Sequence, residues 1–252
     1  MKFSDTAAIV TGAASGLGAA TAAALAARGT TVFGLDLATS IEKAESLDGV
    51  TLLAADVTDG EQVTAAVDTA AGCGVPLRIA VNCAGIGPAA RTVGRDGPHD
   101  LALYRKVIEV NLIGTFTVLS VAAAAIAKTE PDGSGQRGVI VNTASIAAYE
   151  GQIGQVAYAS SKGGVVAMTV PAARDLSGVG IRVCTIAPGI VDTPMLATVG
   201  EEFRAKLAAG IPFPKRLAAP TEYARLVTMI VEHDYLNGET IRMDGGLRMA
   251  PR

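Results

Sequence analysis

Tyr158 and Lys162 stand four residues apart in a segment with helical patterning, so both side chains leave one face about one turn from each other. A free tyrosine, with a pKa near ~10, is a poor base at neutral pH. An ammonium beside it favours the phenolate and suits it to exchanging a proton with an alcohol. Ser145 follows a predicted strand, at the carboxyl edge where open α/β sheets bind ligands, and its hydroxyl can bond a substrate oxygen. Asn111 lies inside the helical stretch Glu109-Val110-Asn111-Leu112, where asparagine is a poor helix former and a polar task is expected. Each residue also has an ordinary reading: Ser145 as a helix cap, Tyr158 in an amphipathic core, Lys162 on a solvated helix face, Asn111 as a local backbone bonder.

The run Thr11-Gly12-Ala13-Ala14-Ser15-Gly16-Leu17-Gly18 joins the first predicted strand to the first helix. Glycines at 12, 16 and 18 allow a sharp turn and a close approach to a pyrophosphate, while the helix N-terminus supplies N–H donors and positive dipole. Asp36 ends the second strand about twenty residues after this loop, the spacing at which a carboxylate meets the adenosine ribose. As an anion it opposes a 2′-phosphate, and no Arg or Lys from Ala13 to Leu17 or just after Asp36 offsets it. NAD is therefore expected rather than NADP. The alternative for Asp36 is a strand-end cap.

These residues need a frame that brings them to one edge. Short aliphatic runs at 7–11, 31–35, 50–54, 79–82, 139–143, 182–186 and 240–243 read as strands. Helical segments are expected at 16–28, 60–71, 101–127, 158–176 and 221–232, the last opened by Pro220-Thr221. Right-handed crossovers then give an α/β fold: a single-domain, Rossmann-like, doubly wound parallel sheet with helices on both faces. Segments 87–98 and 192–214 break the rhythm and read as loops or lids, the second with a short helical pattern at 201–209.

Composition agrees with that frame. Half of the 252 residues are apolar and only 4% aromatic, so the core must be built from Ala, Val, Ile and Leu. A net charge of −3 with interspersed signs gives no sequence-wide basic field for nucleic acid. The apolar runs, such as 118–127, look too short to span a bilayer, and Met1 leads almost directly into the first strand, so no membrane segment and a cytoplasmic location are expected. Cys73, Cys83 and Cys184 lie far apart with only His99 and His233 elsewhere, which suggests free thiols and no metal.

Thr11–Gly18, Asp56-Val57, Asn82-Cys83-Ala84-Gly85, Asn111, Ser145, Tyr158-x-x-x-Lys162 and Pro188-Gly189 occur in an order that resembles the short-chain dehydrogenases/reductases along essentially the whole chain. The resemblance implies hydride transfer between nicotinamide and a hydroxyl or carbonyl carbon, with Tyr158, Lys162, Ser145 and Asn111 catalytic. It implies that Gly12, Ser15, Gly16, Leu17, Gly18 and Asp36 bind the cofactor. Asp56 and Val57 would hold the adenine, and Asn82, Ala84 and Gly85 would line the central cofactor path. Pro188, Gly189 and Thr193 would orient the carboxamide, and Asn111 would hold a water linking Lys162 to solvent. Members are commonly tetramers, so a homotetramer is implied, with helices 101–127 and 158–176 in an interface and the tail 247–252 docked on a neighbour.

Within the family, the segments 130–138, 149–155, 212–217 and 236–239 resemble the type II 3-hydroxyacyl-CoA dehydrogenase branch, also described as 17β-hydroxysteroid dehydrogenases. An acyl-CoA or hydroxysteroid-like small molecule is the implied substrate, with Gln155 near its oxygen or thioester. Arg91, Arg95, Lys215 and Arg216 are candidate contacts for CoA phosphates. The alternatives are a 3-oxoacyl-carrier-protein reductase, a general alcohol dehydrogenase, or a nucleotide-binding scaffold without catalysis.

Overall fold

A computed structural model describes residues 1–95, 97–196 and 200–251. The first half runs β1 (Ala7–Thr11), α1 (Gly16–Ala26), β2 (Thr31–Asp36), α2 (Ala38–Ile41), β3 (Val50–Ala54), α3 (Gly60–Ala71) and β4 (Leu77–Asn82). A small hairpin follows, β5 (Val93–Gly94) and β6 (Gly97–Pro98), then α4 (Leu101–Ile108) and α5 (Gly114–Ile126). The second half runs β7 (Gly138–Thr143), α6 (Ala147–Glu150), α7 (Val156–Asp175), β8 (Ile181–Pro188), α8 (Glu201–Ala209), α9 (Pro220–Glu232) and β9 (Thr240–Met243).

Seven strands form one sheet in the order β3-β2-β1-β4-β7-β8-β9, every neighbouring pair parallel. The chain winds outward from β1 to β3, then returns to the other side of β1. The carboxyl ends of β1 and β4 therefore flank the switch point where doubly wound sheets bind ligands. Strand alternation feeds two cores. Ala7 and Ile9 pack with residues of α3 and α5, while Ala8 and Val10 pack with α1 and α9. The side chains are short, so helices lie close to the sheet. A Cβ on Gly34 would stand 2.6 Å from that of Ala13.

Three expectations change. The helix expected at 101–127 is continuous but holds a π turn at Glu109–Ile113, where the Gly114 N–H reaches back to the Glu109 carbonyl. That run, Leu101–Ile126, is long and apolar enough to span a bilayer, contrary to the reading that no apolar stretch is. In this fold Val107, Val118, Leu119, Ala122 and Ile126 are buried. Segment 87–98 is not plain loop, since it carries the β5–β6 hairpin.

The tail after β9 packs against its own chain. Leu247 packs with Ile146 and Ile211, the Pro251 carbonyl accepts the Ile153 N–H at 3.1 Å, and the Ala250 carbonyl accepts Gln152 Nε2 at 3.0 Å. Arg242 grips Glu150 through two nitrogens at 2.8 and 2.9 Å, and Arg248 pairs with Glu150 and Asp244. Arg252 lies outside the described residues. Segment 192–214 is pinned at its stem. The Asp192 N–H donates to the Ala218 carbonyl, the Ala218 N–H to that of Ile190, and Arg204 on α8 pairs with Asp192.

Candidate active site

At the end of β1 the chain turns under β4. Gly12 has φ +67°, and a Cβ there would sit 3.0 Å from the Ala84 nitrogen, so only glycine fits. A Cβ on Gly18 would stand 2.1 Å from the Gly12 carbonyl oxygen, so the first turn of α1 rests directly on the loop. Thr11 Oγ1 accepts the N–H groups of Cys83 and Ala84 at 3.0 and 3.1 Å and ties the two strand ends together. Ser15 is the extended N-cap of α1, but its side chain makes no capping bond. Its hydroxyl and the unpaired first-turn N–H groups suit an anion. Leu17 instead sends its side chain toward the α1–α9 core, leaving only backbone for a ligand.

Asp36 does part of what each reading expected. One carboxylate oxygen accepts the Ala14 N–H at 3.0 Å, within the glycine loop, and the other accepts the Leu37 N–H at 2.8 Å. It anchors the loop while its further lone pairs point out at the end of β2. Thr193 approaches the same loop, 3.5 Å from where a Gly16 Cβ would be. Asp56 spends one oxygen on the Thr58 backbone and hydroxyl, and Val57 packs so tightly beneath α5 that a Cβ on Gly114 would meet it at 2.7 Å. These parts fit a dinucleotide. Among the described residues no group of three His, Cys, Asp or Glu side chains is gathered as a metal would require.

Asn82 turns its side chain inward. Its side-chain amide is buried within the sheet, donating to Asn142 Oδ1 at 2.9 Å, which leaves its backbone as the part that faces the strand end. The two residues are register partners on β4 and β7, and the pair fixes the strand ends from which Ala84 and Gly85 emerge. Pro188 and Gly189 are held through their backbones. The Pro188 carbonyl accepts the Ile146 N–H at 3.0 Å, next to Ser145, and the Gly189 N–H reaches Met243 at 2.9 Å.

The four chemical residues converge where α7 and the π turn meet the β7 end. Lys162 is buried, with Nζ 2.7 Å from the Thr143 carbonyl and 5.9 Å from the centre of the Tyr158 ring. Burial lowers its pKa to about 8. Burial also pushes the Tyr158 phenol up, with the Ser145 hydroxyl pulling the other way. The expected lowering of Tyr158 by Lys162 is thus not a property of the protein alone, because the ammonium lies over the ring and is itself desolvated. Ser145 Oγ accepts the Ala147 N–H at 3.1 Å, which starts α6 and fixes the hydroxyl.

Asn111 sits in the π turn, and both hydrogens of its amide are committed. It exchanges two 2.8 Å bonds with the Ile86 backbone and donates to Ser161 Oγ at 3.0 Å. Both amide hydrogens are used, so the amide does not donate to a water beside Lys162; it locks the loop after β4 onto α7. Gly85 lies between them, since a Cβ there would meet Asn111 Oδ1 at 3.1 Å and Lys162 Nζ at 3.5 Å.

Gln155, just before α7, turns its Oε1 back to the Gln152 N–H at 3.0 Å and lines a groove of about 420 Å³ with Arg91, Val93 and Ile153. Of the four candidate cations, Arg91 and Arg216 line different grooves. Arg216 is spent on Glu222 at 2.7 and 2.9 Å, an ion pair that closes the start of α9 and holds the Glu222 carboxyl at about 2. Lys215 and Arg95 are exposed. Sequence reasoning missed the parts played by the Thr11 hydroxyl and the Thr143 carbonyl. Only Thr11 had a signal, as the residue before the first glycine of the loop.

Residues 12–248 match a family profile described as enoyl-(acyl carrier protein) reductase. The chain is 49% identical over 249 residues to a 3-hydroxyacyl-CoA dehydrogenase type-2 of Rattus norvegicus, covering 97% of this chain and 95% of the other. The chain belongs to the short-chain dehydrogenase/reductase family. A Drosophila melanogaster 3-hydroxyacyl-CoA dehydrogenase type-2 is 51% identical over 248 residues, covering 96% of this chain and 97% of its own. A crystal structure of 3-hydroxyacyl-CoA dehydrogenase type-2 from Mycobacterium avium superposes with a TM-score of 0.91 at 46% identity, covering 98% of each chain. As a short-chain dehydrogenase/reductase the protein is an oxidoreductase.

Proposed function

We propose that this dehydrogenase interconverts 3-hydroxyacyl-CoA and 3-oxoacyl-CoA with NAD(H). The observation that carries the reading is 49% identity, over 97% of the chain, to relatives named for that activity. Ser145 Oγ and Tyr158 Oη bond the substrate oxygen. In oxidation Tyr158 takes the alcohol proton, and in reduction the protonated phenol returns it. NAD, when bound, accepts the hydride and brings a positive ring that favours the phenolate. Lys162 holds positive charge beside the phenol ring, and Asn111 keeps Gly85 and Ile86 from closing on it.

Asp36 supports NAD over NADP, because its carboxylate stands at the end of β2 with no neighbouring Arg or Lys to accept a 2′-phosphate. Arg91 and Gln155 share a groove beside α7, which supports a thioester whose phosphates meet Arg91. Leu101, Ile113 and Phe116 on the α4–α5 run and Val170 on α7 are exposed apolar side chains, which supports a homotetramer closed across those helices.

The test follows NADH absorbance with 3-oxobutanoyl-CoA, longer 3-oxoacyl-CoAs, a carrier-protein thioester and a 17-oxosteroid, each repeated with NADPH. Light scattering on the same sample should return the mass of four chains. A carrier-protein thioester reduced preferentially with NADPH, or a monomer mass, would overturn the corresponding part of the reading.

A further inference from the structure

A chain of hydroxyls crosses the sheet behind the active site. Asn82 is the last β4 residue to pair with β7, opposite Asn142, so the carbonyl of Thr143 projects one residue past its neighbouring strand. Lys162, reaching in from α7, donates to that carbonyl at 2.7 Å. The Thr143 side chain meets α9 instead, where Oγ1 lies 2.6 Å from Tyr223 Oη and also bonds the Asn82 carbonyl. Tyr223 is wholly buried, among the largest side chains of the α1–α9 core.

The proton order in this chain is fixed. A carbonyl oxygen only accepts and is a far stronger acceptor than the Cys83 sulfur 3.7 Å from the same hydroxyl, so the single Thr143 hydroxyl proton goes to Asn82. Tyr223 must then donate to Thr143. Its own remaining lone pairs face the Cys83 thiol, at 3.8 Å. Each group has one orientation, and the carbonyl on which Lys162 rests is part of the same residue that Tyr223 and Asn82 clamp.

We propose that Tyr223 is a positioning residue for catalysis: its hydroxyl, through Thr143, fixes the carbonyl that seats the Lys162 ammonium. Lys162 is buried, so its acceptor governs both where the charge lies and the pH range over which it persists. The titratable groups facing it are Tyr158 on α7 and Cys83 beyond β4, with Tyr223 behind Cys83. Burial keeps both Cys83 and Tyr223 protonated, so neither competes as an anion.

Tyr223→Phe keeps the ring and removes only the donor. It should lower kcat for NADH-driven reduction of 3-oxobutanoyl-CoA about three- to tenfold, the scale of one hydrogen bond, with KM values changed less than about twofold. Losing a well-placed acceptor disfavours the ammonium, so the Lys162 titration, followed by 13C NMR of the lysine side chains, should move to lower pH. That measurement needs no substrate, so it stands apart from the acyl-CoA assignment, whose failure would appear as an inactive parent enzyme. Thr143→Val should reproduce the loss, Thr143→Ser should restore it, and the Tyr223→Phe/Thr143→Val double variant should be no worse than the poorer single. An unshifted Lys162 titration in Tyr223→Phe, a Thr143→Ser variant as poor as Thr143→Val, or additive losses would each overturn the proposal. If Tyr223→Phe fails to fold, the Ser and Val variants of Thr143 decide it.

Discussion

At the end of the site proposed for the dinucleotide, the Thr11 hydroxyl and the Asp36 carboxylate hold backbone N–H groups of Cys83, Ala84 and Ala14, and Gly12 lies tight against Ala84. At the substrate end, Arg91 and Val93 project from the segment around the hairpin, and Phe213 stands 81% exposed in the segment before α9. A side chain that holds a backbone N–H, or a glycine with no room for a Cβ, tolerates almost no substitution. Contacts made by single exposed side chains tolerate nearly any. On the proposed function, the fold holds the cofactor and the proton-transfer group fixed and leaves substrate choice to loops that can change without disturbing them.

That contrast is broken most directly at the point where the two ends meet. Tyr158→Phe removes the proton carrier and should lower turnover at least about a hundredfold while leaving NADH binding, measured by fluorescence titration, nearly intact. Turnover close to wild type would mean that another group carries the proton.

The next effect lies at the rigid end. Asp36→Ala should lower the NAD/NADP ratio of kcat/KM about ten- to a hundredfold, since a charged hydrogen bond is worth roughly 1.5–3 kcal/mol. Because Asp36 also anchors the Ala14 N–H, Asp36→Asn separates the two jobs. The amide keeps an acceptor for the loop but loses the charge, so it should lower the ratio with a smaller loss of NAD affinity than Ala causes. A ratio unmoved by either variant would reduce Asp36 to a strand-end anchor.

The smallest effect is expected at the loop end. Arg91→Gln should raise KM for an acyl-CoA severalfold with kcat unchanged, and the difference should shrink at high salt. Arg216→Gln is the contrasting variant. It breaks the pair with Glu222 that closes the start of α9, so its effect should appear as a lower melting temperature and not as a KM change. Equal KM effects from both arginines would mean that the cations act as one diffuse field.

Much of this was legible in the sequence, for physical reasons that differ by region. The strands and long helices follow from periodic burial, and the Tyr158–Lys162 spacing is a helix property readable from numbering alone. The glycine loop was legible because positive φ and close approach leave glycine as the residue that fits. The inward turn of Asn82 was not, since an amide at a strand end faces solvent or sheet according to a partner, Asn142, sixty residues away. The pairing of Arg216 with Glu222 hid for a related reason: a cation in a loop looks free until the next helix start folds beside it. The hairpin at Val93–Pro98 escaped because two-residue strands containing Gly and Pro carry no strand propensity.

The π turn at Glu109–Ile113 has a consequence for chain length. A π turn is a helix that has taken in one residue more than its α-helical phase requires. Removing one residue there would return the run to a regular α-helix without rotating α4 against α5, because about five residues of π turn sweep nearly the same angle as about four of α-helix. Val107 would stay in the core, and what would vanish is the bulge that carries Asn111 to both the Ile86 backbone and Ser161. The extra residue between Leu101 and Gly114 thus serves the position of one amide and not the packing of the helix.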